Sequence, residues 1–388
     1  MSGGALRIAV VANTAWYLHN FRRNLMQALK QDGHHVIAVG GEGAFAQRLR
    51  EQGFQHHAVP FSGAGTAPWH ELATVRALRR VLRRERINLV LSYTPKGNLY
   101  AALAARGLPL RQVMNVSGLG RAVTSPGAAS RIVEWLYRRT VPRAAWVFFQ
   151  NDDDRQLFVE RAWVTPARSS RLPGSGVDLG AFTPGALPSN EAGACVFLMV
   201  ARLLWDKGVG EYVEAARSLR LRCPKARFQL LGPLDASPRS GVTRAVLDGW
   251  IAEGVVEYLG ETDDIRPYVR AADCIVLPSY REGVSRALLE GAACARPLIA
   301  SDVPGCRDAI DTGNSGLLCR VADAADLADK MGQVLAMPTA LRVAMGSAGR
   351  AKVEREFDEQ IVISAYRRCI ASIQTPGTTY PARKNSTS

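Results

Sequence analysis

Residues 194–202 read ACVFLMVAR. Eight apolar residues run without a break before Arg202. A strand with one wet face alternates apolar and polar residues; an unbroken short run instead signals a strand covered on both faces, as in a parallel sheet between helical layers. Working outward, the same kind of run recurs at RFQLLG (227–232), VEYLG (256–260), CIVLPS (274–279) and RPLIAS (296–301), with amphipathic stretches such as GEYVEAARSLR (210–220) between them. An earlier series has the same rhythm: LRIAVVA (6–12), the helical FRRNLMQALKQDG, HHVIAVGG, NLVLSY (88–93) and AWVFFQN (145–151). Two such series predict an α/β protein of two Rossmann-like, doubly wound domains. The join falls in RLPGSGVDLGAFTPGALPSNEAGAC (171–195), rich in Gly, Pro and Ser. The expected division is 1–175, joined by a C-terminal helix at 356–373, and 176–355, with a disordered tail at 374–388.

The 388 residues suffice for two cores, and 47% hydrophobic with 22% charged is a soluble globular composition. No stretch approaches the roughly 18–20 uncharged apolar residues of a membrane span. The N-terminal MSGGALRIAVVA lacks a secretory signal's order, which predicts a cytoplasmic protein. The seven cysteines include no CxxC pair and read as free thiols, while all six histidines precede residue 71; neither a disulfide framework nor a metal site is expected. The charge of +14 is lopsided. Residues 1–175 hold 24 Lys and Arg against 10 Asp and Glu, whereas 176–388 hold 25 of each. One half is therefore expected to meet an anionic surface.

In open α/β sheets ligands bind beyond the carboxyl ends of strands, and the chemistry-bearing residues cluster there. ARLLWDKG (201–208) sets Arg202 and Lys207 after one strand, a guanidinium fork and an ammonium suited to a diphosphate. SYREGVSRALLEG (279–291) follows another. Gly283 permits an unusual backbone angle or close ligand approach, the N–H groups of Val284, Ser285 and Arg286 open a helix, and Glu282 and Glu290 stand at either end. Such a helix start holds phosphate, and the carboxylates suit sugar and ribose hydroxyls better than a glycosidase acid/base pair. Each motif alone reads equally as solvated surface charge; their common place at strand ends favours a shared anionic ligand. NDDDR (151–155) reads as a helix N-cap rather than a metal-binding triplet.

EGVSRALLE (282–290) resembles the E-x₇-E element of retaining glycosyltransferases. ARLLWDKG resembles their Arg…Lys clamp, PGSGVDLGAF (173–182) their Gly-Val-Asp hinge, and VLPSYREGVSRALLEGAACARPLIASDVPGCRDAI their donor-binding block. The family so resembled is glycosyltransferase family 4, with the GT-B fold of two Rossmann-like domains facing a cleft. The resemblance implies transfer of a sugar from a nucleotide sugar, without a metal cofactor. Arg202 and Lys207 would stabilise the leaving diphosphate. Glu282 with the amides of Val284 and Ser285 would hold the sugar and its phosphate, and Glu290 the ribose. Tyr258 and Leu259 would contact the base, with Gly232 permitting close approach. Two departures stand out: no histidine occupies VMNVSGLGRAV (113–123), where Asn115 and Ser117 lie instead, and Ser285 replaces the usual proline.

SGLG with YTPKGNLY (93–100) looks like the branch that works on polyprenyl-diphosphate-linked sugars in capsule, O-antigen and glycan assembly. His19, Asn20 and Arg22 in NTAWYLHNFRR (13–23), together with Lys96, Asn115 and Ser117, are then candidate acceptor contacts. The basic segments 71–90 and 131–146 imply an enzyme resting on the inner face of the cell membrane; nucleic acid ranks lower, no binding signature being present. The expected reaction moves a HexNAc or hexose from a UDP-sugar. A GDP-mannose-dependent mannosyltransferase is the nearest alternative, and a non-catalytic nucleotide-sugar or nucleic-acid binder an alternative of another class.

Overall fold

The computed structural model describes residues 4–61, 68–117, 128–188, 194–234 and 240–374. The chain divides into two compact units, Met1–Ser175 with Val362–Ser388, and Gly176–Ile361.

In the first unit seven strands form one sheet in the order β3-β2-β1-β4-β5-β6-β7. They are β1 (Arg7–Val11), β2 (His35–Gly40), β3 (Gln55–Ala58), β4 (Leu89–Tyr93), β5 (Arg111–Val116), β6 (Trp146–Phe149) and β7 (Ser169–Arg171). Every pair is parallel; Val10, for instance, stands opposite Ala38 on one side and Leu91 on the other. The unbroken apolar runs are explained by the two cores they feed. Ile8, Val10 and Leu91 pack toward α1 (Ala15–Gln31), α2 (Ala44–Glu51) and the final helix. Ala9, Val11 and Val90 pack toward α3 (Pro68–Arg84), α4 (Pro95–Ala104), α5 (Ala128–Thr140) and α6 (Asp152–Glu160). Each fully buried Val, Leu or Ile contributes about 1.5–3 kcal/mol. Caps set the helix starts: Thr14 accepts from Tyr17 N–H, and Asn151 accepts from Asp154 N–H ahead of Asp152–Asp154.

The second unit repeats the plan with six parallel strands, β10-β9-β8-β11-β12-β13. These are β8 (Val196–Val200), β9 (Arg227–Leu231), β10 (Glu257–Tyr258), β11 (Cys274–Leu277), β12 (Leu298–Ser301) and β13 (Gly316–Cys319). Its helices are α7 (Val209–Arg220), α8 (Arg244–Ala252), α9 (Arg266–Ala271), α10 (Arg286–Ala293), α11 (Pro304–Arg307), α12 (Ala324–Ala336) and α13 (Thr339–Glu356). The last helix, α14 (Glu359–Gln374), sends Val362, Ile363, Tyr366 and Cys369 into the core of the first unit. The seven cysteines are free thiols, six of them buried. Residues 118–120 of SGLG, the linker at 189–193 and residues 375–388 of the expected tail lie outside the described residues, while Gln374, expected to open that tail, ends α14.

In each sheet the connections reverse direction at one place, between β1 and β4 in the first and between β8 and β11 in the second. That switch point opens a crevice at the carboxyl edge, where ligands bind in such sheets.

Candidate active site

At the switch point of the second unit the chain leaving β8 passes through exposed Arg202 and a short turn, Trp205–Lys207, before Gly208 opens α7. Gly208 has φ +75°, and a Cβ there would lie 2.1 Å from the carbonyl oxygen of Pro278, just past β11. Only glycine lets the two loops lie this close. Hydrogen bonds then stitch them together: the Asp206 carbonyl accepts from the Tyr280 amide at 2.9 Å and from the Ser279 hydroxyl at 3.2 Å. The result is that Lys207 Nζ donates to Glu282 Oε1 at 2.6 Å, with both side chains mostly buried. Gly305 supports the turn from the far side, since a Cβ there would fall 2.1 Å from the Gly283 carbonyl oxygen.

Beyond this turn α10 begins. The Ser285 hydroxyl caps it, accepting from Leu288 N–H. The amides of Val284 and Ser285 find no acceptor among the described residues, which leaves two donors beside the partial positive charge of a helix start. Glu290, 7% exposed, accepts from Arg286 Nε. Burial pushes its carboxyl pKa up, while the Arg286 guanidinium pulls it back in part. Gly283 does not adopt a positive φ, which leaves close ligand approach of its two expected roles; the glycines with positive φ at these strand ends are Gly208, Gly232 and Gly260.

Gly232, Tyr258 and Leu259 gather at the ends of β9 and β10. The Tyr258 hydroxyl donates to the Gly232 carbonyl at 3.0 Å, and the Gly232 amide donates to the Gly260 carbonyl. Gly232 has φ +142°, and a Cβ would lie 2.0 Å from the Ala201 oxygen, so the protein's own backbone accounts for this glycine. The Leu259 amide already donates to Leu230 O and is not available to read a base.

In the first unit the expected acceptor residues come from three elements: His19, Asn20 and Arg22 on α1, Lys96 on α4, and Asn115 and Ser117 on and just after β5. Lys96, in the first turn of α4, donates to Glu71 Oε1 at 2.9 Å, and Ser117 directly follows β5. His19 lies against Phe45, ring centroids 5.3 Å apart, and Asn20 donates to Trp16 O one turn back. Two expectations are corrected. Arg22 is 1% exposed: it bonds the Tyr17 hydroxyl at 3.0 Å and stacks on Tyr93 at 4.1 Å, so it serves the core rather than a ligand. Asn115 is fully buried, donating to the Tyr366 hydroxyl and accepting from Gln150. Sequence reasoning passed over Gly208, Asp206 and Ser279, which hold the two loops together, and Gly305, which lies against Gly283. The glycine immediately after Lys207, at a helix start, was the available signal.

Two family descriptions match the chain: "Glycosyl transferase 4-like domain" over residues 19–174 and "Glycosyl transferases group 1" over 194–337. A Campylobacter jejuni N,N'-diacetylbacillosaminyl-diphospho-undecaprenol alpha-1,3-N-acetylgalactosaminyltransferase is 28% identical, the match covering 93% of this chain and 97% of the relative. An Escherichia coli UDP-Gal:alpha-D-GlcNAc-diphosphoundecaprenol alpha-1,3-galactosyltransferase is 25% identical over 65% of this chain and 67% of its own length. Among solved structures, sucrose-phosphate synthase from Thermosynechococcus elongatus superposes with a TM-score of 0.77 at 20% identity, covering 94% of this chain and 99% of that one. Anabaena HepE with UDP and glucose gives 0.77 at 17% identity, over 95% and 100%. These likenesses establish the fold as GT-B. The protein is a glycosyltransferase, and it belongs to glycosyltransferase family 4.

Proposed function

We propose that the protein transfers a hexosamine or galactose from a UDP-sugar to a saccharide carried on polyprenyl diphosphate, with retention of anomeric configuration, at the inner face of the cell membrane. The observation that carries this reading is the Lys207–Glu282 pair beside the open amides of Val284 and Ser285. A lysine ammonium has three donor protons; one engages Glu282, which aims the other two. The β-phosphate of the donor is placed against these and Arg202. The bond from the anomeric carbon to the diphosphate oxygen breaks, and the cations stabilise the charge left on that oxygen. The acceptor hydroxyl attacks from the same face and passes its proton to the departing phosphate, leaving UDP. No metal is needed in this scheme, because the two cations perform that task. Glu282 holds hydroxyls of the donor sugar, and Glu290 those of the ribose. The names of the two relatives support the acceptor class.

The test is a donor screen with UDP-GalNAc, UDP-Gal, UDP-GlcNAc and GDP-mannose on a short-chain prenyl-diphosphate hexosamine, run with EDTA. One UDP-sugar is expected to give a disaccharide by mass spectrometry. Turnover of GDP-mannose alone, or loss of activity in EDTA, overturns the reading.

Glu290→Gln separates binding from folding. Because burial raises the Glu290 pKa, the stability this carboxyl contributes is present below the ordinary carboxylate range and is lost as pH rises through the raised value. The glutamine variant is therefore expected to unfold no earlier than the parent at pH 7.5, while donor KM rises about tenfold because a charged acceptor of ribose hydrogen bonds is lost. An unchanged KM contradicts the assignment.

A further inference from the structure

The outer surfaces of α3 and α5 carry one pattern twice. On α3, Trp69 (75% exposed), Leu72 (47%), Arg76, Arg80 and Arg83 recur on one helical face, opposite buried Thr74, Leu78 and Leu82. On α5, Ile132 (60% exposed), Trp135 (53%) and Arg139 share a face opposite buried Tyr137, and the Arg139 guanidinium lies 5.3 Å from the Trp135 ring. On α3 the exposed apolar residues occupy the first turns and arginines follow; on α5 exposed Arg131 precedes Ile132, Trp135 lies mid-helix, and Arg138 and Arg139 follow. Helix α4 packs against both helices and is itself largely buried, so α3 and α5 flank it on the same side of the sheet. All strands of the sheet are parallel, and the helices that connect them run back antiparallel. The early turns of α3 and α5 therefore lie at the carboxyl edge, the edge that carries Lys96 and Ser117.

Charge adds to this. The two helices hold eight arginines against Glu71 and Glu134. Both glutamates are engaged, Glu71 by Lys96 and Tyr100 and Glu134 by Arg161. Arg79 donates to Ala104 O and Arg106 O; Arg76, Arg80, Arg83 and Arg139 stand exposed. Exposed apolar residues flanked by exposed arginines are the two halves of an interfacial anchor, one for the acyl boundary and one for anionic headgroups. A polyanion such as RNA would engage the arginines but leave Leu72 and Ile132 without a role.

We propose that the α3–α5 face docks edge-on to a bilayer containing anionic lipid. Trp69, Leu72, Ile132 and Trp135 enter the headgroup–acyl boundary, and the arginines flanking them lie on the phosphates. This attitude brings the carboxyl-edge loops of the first unit to headgroup depth, the depth of a prenyl-linked diphosphate. That last step rests on the acceptor class proposed above; the docking does not.

The full-length protein is floated with vesicles of phosphatidylcholine alone and with about 30 mol% phosphatidylglycerol, alongside W69A/W135A and R76E/R80E/R139E. Parent protein is expected to float only with anionic vesicles, and each variant to need at least about tenfold more lipid for half-binding. Turnover of a water-soluble short-chain acceptor should stay within about twofold of the parent, because neither set touches the donor site. Variants that float as the parent does overturn the docking surface. So does a parent that binds single-stranded RNA but no vesicle. If no acceptor is turned over while the variants still lose flotation, the substrate reading fails and the docking surface stands.

Discussion

Replacing Lys207 with alanine is expected to lower kcat by about 10²–10³-fold, the loss typical of removing one preorganised group that stabilises developing charge. Its ammonium is fixed 2.6 Å from Glu282 and, in the proposed complex, meets the leaving diphosphate where charge develops. An interaction made chiefly in the transition state lowers kcat and kcat/KM together, so donor KM should change far less. Lys207→Arg should recover only part of the rate, because a planar fork replaces a compact point charge. A steady-state assay of UDP release measures both variants. A kcat within about threefold of the parent for Lys207→Ala contradicts the assigned role.

The second large effect concerns Gly208, which touches no substrate in this account. Alanine there meets two penalties: a positive φ that L-residues disfavour, and a Cβ 2.1 Å from the backbone of Pro278. Neither can be relieved by a side-chain rotation. The loop must instead lift from β11, at a cost of about 2–4 kcal/mol, carrying Lys207 away from Glu282. Gly208→Ala should thus lower both thermal stability and kcat, the latter by about 10²-fold. Gly210→Ala is the control two residues on. It lies inside α7, its Cβ would meet only the Trp205 ring at 3.5 Å, and alanine is the better helix former; it should leave kcat unchanged and stability equal or higher. Equal behaviour of the two variants in thermal melts would refute the close-approach argument.

The central strands were legible in the sequence because burial on both faces leaves an unbroken apolar run. Segments such as ACVFLMVAR contain β8, and CIVLPS contains β11. The central β5 was not in the series read, its RQVMNV being interrupted by buried Gln112 and Asn115; nor were β3, β7 and β13. All three are sheet edges, with QHHA and SSR polar and GLLC only four residues long; with a single neighbouring strand, they carry little of that signal. The placing of Arg202, Lys207 and Glu282 at strand ends was readable from spacing. The contact between Lys207 and Glu282 was not, since it depends on which strands are neighbours in the sheet. Arg22 was misread although a signal existed. It falls on the same helical stripe as Leu18, Leu25 and Leu29, all buried, and a residue on that stripe faces inward whatever its charge. Asn115 likewise sits inside VMNV, a run covered on both faces.

The most direct measurement is the position of UDP in a crystal structure of the full-length protein. The β-phosphate is expected within about 3.2 Å of Lys207 Nζ and of the Val284 or Ser285 amide, with the ribose hydroxyls on Glu290. UDP seated elsewhere, with Lys207 still closed on Glu282 and those amides facing only solvent, would contradict the account.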